Sequence, residues 1–137
     1  MKTILLSLSA AALLLLANGC ATGGAYEPKN TTKYDLENTA QFVLFDAGAQ
    51  HSVTCPGIQT GKTVDGRMKV LAHLRNRENR RIEVQANCVF KDVNGVTTGD
   101  ETPFQAVILT ENATEQVKFV SMNDKAKRYT IRVRQAR

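Results

Sequence analysis

The residues able to do chemistry in this chain are few: His51 and His73, the cysteines at positions 20, 55 and 88, and two concentrations of arginine. Nucleophilic or acid–base catalysis needs a base within reach of a nucleophile or a metal. Neither histidine stands in an HExxH or phosphate-loop pattern, and the chain has no GxSxG elbow and no tight carboxylate pair. The sequence therefore predicts no enzyme and no cofactor. His51 precedes Cys55 by four positions, so these two and Cys88 could form a His/Cys metal site. The same cysteines could instead form a disulfide, and that is the pairing expected here: Cys55 with Cys88. A bridge of that span is worth about 3–4 kcal/mol on the chain-entropy account. The alternatives are a free Cys88 acting as a small buried hydrophobe, and a ligand- or metal-binding module around His51, Cys55 and Cys88.

The arginines divide into two groups. Arg77, Arg80 and Arg81 crowd one polar loop beside Arg75, with Glu78 among them. Arg132 and Arg134 share one face of the last apolar segment. A guanidinium fork matches phosphate or carboxylate in paired hydrogen bonds, so these five residues are candidates for contact with an anionic partner. Their plainer use is a solubilising surface that discourages strand edges from pairing between molecules. Tryptophan is absent and aromatics make up only 6% of the chain, which argues against a sugar-stacking groove.

The start of the chain says where these residues would act. Met1-Lys2 is a positive n-region, and the uncharged stretch Thr3 to Ala17 is too short and wrongly flanked for a membrane span. Gly19-Cys20 follows, which reads as a bacterial lipoprotein leader over 1–19 with Cys20 becoming the lipidated first residue. Ala17 and Asn18 stand where such leaders carry leucine and a small residue, so ordinary cleavage near Ala21 is the rival. Ala21, where inner-membrane retention uses Asp, predicts an outer-membrane anchor with the chain facing the periplasm. Residues 20–40 are polar and hold two glycines and a proline, as a flexible tether would. Residues 41–137 make one domain. Loss of Lys2 leaves 17 basic against 13 acidic residues, a net charge of +4. Export turns this excess away from nucleic acid and toward an envelope protein, anionic lipid or a cell-wall component.

The elements that must position these side chains are short strands. Met68, Val70, Ala72 and Leu74 alternate with mainly polar residues, as do Ile82, Val84, Ala86, Cys88 and Phe90. A period of two puts one apolar face on each strand. The loop between them, Asn76 to Arg80, predicts an antiparallel hairpin. Phe42–Phe45, Phe104–Thr110, Glu115–Ser121 and the segment around Tyr129, Ile131 and Val133 supply further strands. One or two short edge segments are expected within His51–Val64, and Val96–Thr102 reads as polar loop. Asp92-Val93-Asn94-Gly95 is a strong turn signal. The sum is an all-β, immunoglobulin-like β-sandwich of about seven short antiparallel strands.

From Gly66 to Arg137 the chain resembles the small YcfL-like periplasmic lipoproteins, a family without an established activity. The resemblance lies in Leu74-Arg75-Asn76, in Val89 to Gly95, in Thr102-Pro103-Phe104 and in the closing Tyr129-Thr130-Ile131-Arg132-Val133-Arg134. That family usually has several aromatics before the Asp, where this chain has Ala86, Cys88 and Phe90. The resemblance implies an immunoglobulin-like sandwich and an envelope location, and it supplies no catalytic residues.

Overall fold

The computed structural model describes residues 40–136. The leader, Cys20 and nearly all of the expected tether lie outside the described residues. Within them the order is β1 (Phe42–Leu44), α1 (Ala47–Ser52), β2 (Val53–Lys62), β3 (Met68–Asn76), β4 (Ile82–Lys91), β5 (Thr97–Glu101), β6 (Gln105–Leu109), β7 (Thr114–Val120) and β8 (Arg128–Gln135). Eight strands form two sheets, so the expected all-β sandwich is present. The larger sheet runs β1-β8-β4-β5, and β6 also pairs with β4; the smaller is β2-β3-β7. β4 holds β8 along one side, with β6 at Ile82–Ala86 and β5 beyond Val89 along the other.

Two expectations about the strands are corrected. β3 and β4 are not a hairpin: they lie in different sheets, β3 between β2 and β7 and β4 beside β8. Their apolar faces meet across the core, with Val70, Ala72 and Leu74 on one side and Val84, Ala86, Cys88 and Phe90 on the other, all buried. The reason lies at Asn76, which is fully buried. Its side-chain nitrogen lies 2.7 Å from the Arg80 carbonyl, 2.9 Å from that of Thr110 and 3.2 Å from that of Leu109. Its oxygen accepts from the Glu78 amide at 2.9 Å. This side chain carries the charged loop over the end of the sandwich as an arch between sheets. The second correction is β1, which pairs with β8 in parallel (Phe42 with Ile131, Leu44 with Val133) rather than antiparallel.

Two segments read differently from the sequence, and a third forms as read. His51–Val64 holds one long strand, β2, which bulges between Thr54 and Gly57 around Pro56. A bulge absorbs the missing proline donor and bends the strand. Residues 97–101 form β5, drawn into the sheet by pairing with β4 despite their polar composition. The turn at Asp92–Gly95 forms as expected: Asp92 accepts from Asn94 and Val96 through its carboxylate, and Gly95 takes a φ of +81°. The core is dense around Phe90 and Phe119, 0% and 2% exposed. Truncating either to alanine would cost about 3–5 kcal/mol.

Candidate functional site

The end of the sandwich crossed by the arch is also where the two sheets part. β1 is the last strand of the larger sheet, and β2 is the last of the smaller. Between their edges lies an open cleft of about 560 Å³. Phe42 and Leu44 line it from β1, and Val53 and Ile58 from β2, all four packed against the core. α1 joins the two strands. Asp46 fixes it by capping it at the Ala49 amide (2.7 Å) and by accepting from the Gln135 amide of β8 (2.8 Å). The polar margin is Gln41, Gln50, Thr54 and Arg77. Arg77 is exposed, and its backbone amide is tied to the Ser52 carbonyl at 2.8 Å, so the arch and α1 meet at the cleft.

Cys55 sits in the wall of this cleft, half-buried in the β2 bulge. Its Sγ is turned to the Gly57 carbonyl at 3.5 Å. Burial pushes its thiol up, against the opposing pull of backbone groups at Gly57 and His73. Cys88 is fully buried in the middle of β4, in the other sheet. Burial, with the nearby Asp100 carboxylate adding to it and Arg132 opposing it, pushes its thiol up to about 12. The two expected to bridge are free thiols in this structure. One faces its own strand's bulge and the other is packed in the core, and the two are unbonded in this structure. The His51, Cys55 and Cys88 metal site is also not assembled. Among the described residues no three His, Cys, Asp or Glu side chains converge where an ion could be held.

The five candidate arginines fall into different environments. Arg77 stands at the cleft margin, and Arg81 is exposed just before β4. Arg80 is exposed and pairs with Glu78, which also accepts from the Ser52 hydroxyl. The Arg80 hydrogen bond first, and then that from Ser52, hold the Glu78 carboxyl below its ordinary value. Arg132 and Arg134 lie on the outer face of β8 among protein partners. Arg132 Nε donates to Asn87 Oδ1 at 2.9 Å, and its fork pairs with Glu101. Its guanidinium also lies over the rings of Phe45 and Phe104, at 5.4 and 5.7 Å. Arg134 stacks on Phe104 at 3.8 Å and donates to Gln85 at 2.9 Å.

Sequence reasoning missed the cleft itself, because it belongs to two strand edges far apart in the chain. Lys91 is 4% exposed and borders a second, smaller cavity of about 180 Å³ with Lys127, Arg128 and Thr130. No helix among the described residues is long and apolar enough to cross a membrane.

The profile of a family described as "Protein of unknown function (DUF1425)" matches residues 40–135. The chain belongs to this family. A crystal structure of a DUF1425 family member from Shewanella sp. pv-4 is similar to it, with 25% identity and a TM-score of 0.57 over 68% of this chain and 87% of that one. The crystal structure of Campylobacter jejuni cj0090 shares the fold at 12% identity, with a TM-score of 0.59 over 70% of this chain and 98% of that one. No curated protein matches the chain. In this DUF1425 chain the residues behind the YcfL-like resemblance are structural. Asn76 builds the arch, Asp92 and Gly95 build a turn, and Thr102 closes on Cys88 through its Oγ1 and its amide, both at 2.9 Å.

Proposed function

We propose that this DUF1425 chain is a non-enzymatic lipoprotein of the cell envelope, anchored through Cys20 and facing the periplasm, probing no substrate and binding another envelope protein. The leader pattern ending at Gly19-Cys20 and the resemblance to YcfL-like lipoproteins support the location. Two acyl chains on Cys20 would hold the domain at the membrane, where one chain would not. The observation that carries the binding role is the cleft between β1 and β2. It offers apolar side chains and an exposed arginine on a rigid sandwich, the combination of anchor pocket and polar margin that partner proteins use.

Two measurements test this reading in cells. Cys20→Ala should release the chain from the membrane fraction; unchanged fractionation would overturn the lipid anchor. A photoreactive residue at Thr54, beside the cleft, should crosslink one discrete protein. The same residue at Lys118, exposed on β7, should not. Identical products from both positions, or none from Thr54, would overturn the binding role.

A further inference from the structure

The cleft has a second property besides its apolar lining: one of its walls is a strand edge that no other described strand fills. In the parallel ladder between β1 and β8, Ile131 donates to the Gln41 carbonyl at 2.8 Å and Phe45 donates to the Val133 carbonyl at 2.9 Å. Backbone groups alternate sides along a strand, so Gln41, Val43 and Phe45 face β8, while Phe42 and Leu44 aim their N–H and C=O groups the other way. Both residues line the cleft. β1 has β8 as its one partner among the described strands, so this edge offers two donors and two acceptors.

The facing edge of β2 is guarded against pairing. Pro56 has no amide hydrogen, the strand bulges between Thr54 and Gly57, and Lys62 ends it. Proline, a bulge and lysine are the features by which sheets blunt an edge. β1, Phe-Val-Leu, has none of them. The open edge, the pocket beside it and the arginine at its margin point to one kind of occupant.

We propose, resting on the binding role given above, that the cleft takes an extended peptide of a partner protein. The peptide adds as a strand beside β1, with an apolar side chain between Leu44 and Ile58 and a carboxylate on Arg77. Strand addition draws affinity from main-chain hydrogen bonds and specificity from pockets for alternate side chains. The residues lining the cleft include no Asp or Glu, so Arg77 gives it a positive margin that an acidic group complements. A second copy is the poorer occupant. Paired edge to edge about a two-fold axis it would insert its own β1, which carries no carboxylate for Arg77.

The test uses the purified exported chain and a phage-displayed library of random dodecapeptides. Selected peptides should share an acidic residue close to a large apolar one. A synthetic peptide of that consensus should slow hydrogen exchange of the Phe42 and Leu44 amides at least tenfold, while Val43 is already slow without it. Arg77→Glu should weaken the peptide at least tenfold, and a peptide with its acidic residue changed to Lys should recover the loss on that variant. Such recovery cannot come from a misfolded cleft. Exchange at Phe42 and Leu44 that is already slow in the free chain would overturn the proposal, because the edge would then be filled by the chain itself or a second copy. Failure to enrich peptides, or binding that leaves both amides unchanged, would also overturn it. A discrete Thr54 crosslink in cells together with either failure would leave the binding role standing and remove only strand addition.

Discussion

The side-chain amide of Asn76 donates to the carbonyl of Arg80 at 2.7 Å, and this contact sends the chain from one sheet to the other instead of back along the same one. The amide nitrogen has two hydrogens to share among three carbonyls, and all of the side chain is buried. Without it, the buried Leu109 carbonyl would lose this partner, and the Arg80 and Thr110 carbonyls would lose the bonds that tie down the arch.

Asn76→Ala is therefore expected to cost on the order of 3 kcal/mol, since each buried polar group left unmade costs about 1–3 kcal/mol. That corresponds to a fall in Tm of roughly 10 °C or more for a domain of this size. Thermal unfolding followed by circular dichroism checks it. A change of a degree or two would mean that the turn residues themselves direct the crossing.

The two thiols should behave differently. In protein isolated without reductant, iodoacetamide at about pH 8 is expected to label Cys55 and to leave Cys88 unlabelled until the chain is denatured. The thiolate is the reacting form, and burial holds Cys88 at about 12 while the half-buried Cys55 is raised but reachable. Peptide mapping by mass reads the result. A Cys55–Cys88 bridged peptide, or equal native labelling at both sites, would contradict it.

What could be read in advance follows from the range of each interaction. The alternation through Met68–Leu74 and Val84–Phe90 exposed the two core faces, because side-chain period is a local property of a strand. Asp92–Gly95 was legible for the same reason: its bonds span four residues. The pairing of strands was not. A loop of five polar residues can close a hairpin or cross between sheets, and what decides is Asn76 reaching Leu109 and Thr110, over thirty positions away. β5 looked like loop because Thr97–Glu101 has no apolar face of its own and becomes a strand through pairing with β4. The cleft was invisible because its walls are β1 and β2, strands of different sheets that share no ladder. The arginines were visible as a group, but their separation into exposed and packed depends on Phe45, Phe104 and Asn87.

Glu78 links the arch to acid stability. Its folded-state carboxyl is held below the ordinary range by Arg80 and then Ser52. A lowered folded value means that the ionised form stabilises the fold. That contribution is present above the unfolded value, about 4.3, and disappears as the pH falls through the lower folded one. Glu78→Gln should thus melt slightly below the parent at pH 7, with the two curves converging in acid. The difference should be small and shrink with salt, because the carboxylate is partly open to solvent. A gap that persists at pH 2 would assign the effect to packing rather than charge.

The sharpest contrast lies between the two arginine groups. Arg132 is 14% exposed, donates to the fully buried Asn87, pairs with Glu101 and lies over two phenyl rings. Replacing it by Ser strands Asn87 Oδ1 and removes the stacked plane, a loss expected at about 2–3 kcal/mol. Arg77 and Arg81 are exposed at the arch, and the core makes no use of their side chains. Their change to Ser should cost under about 0.5 kcal/mol each. Arg132→Lys separates charge from shape: lysine keeps the charge but has neither the planar fork nor the stacking face, so this variant should lose most of what Arg132→Ser loses. Urea unfolding of the three variants at low and high salt decides the matter. A Lys variant as stable as the parent, or a double Arg77/Arg81 variant as unstable as Arg132→Ser, would reverse the assignment of packed and free arginines.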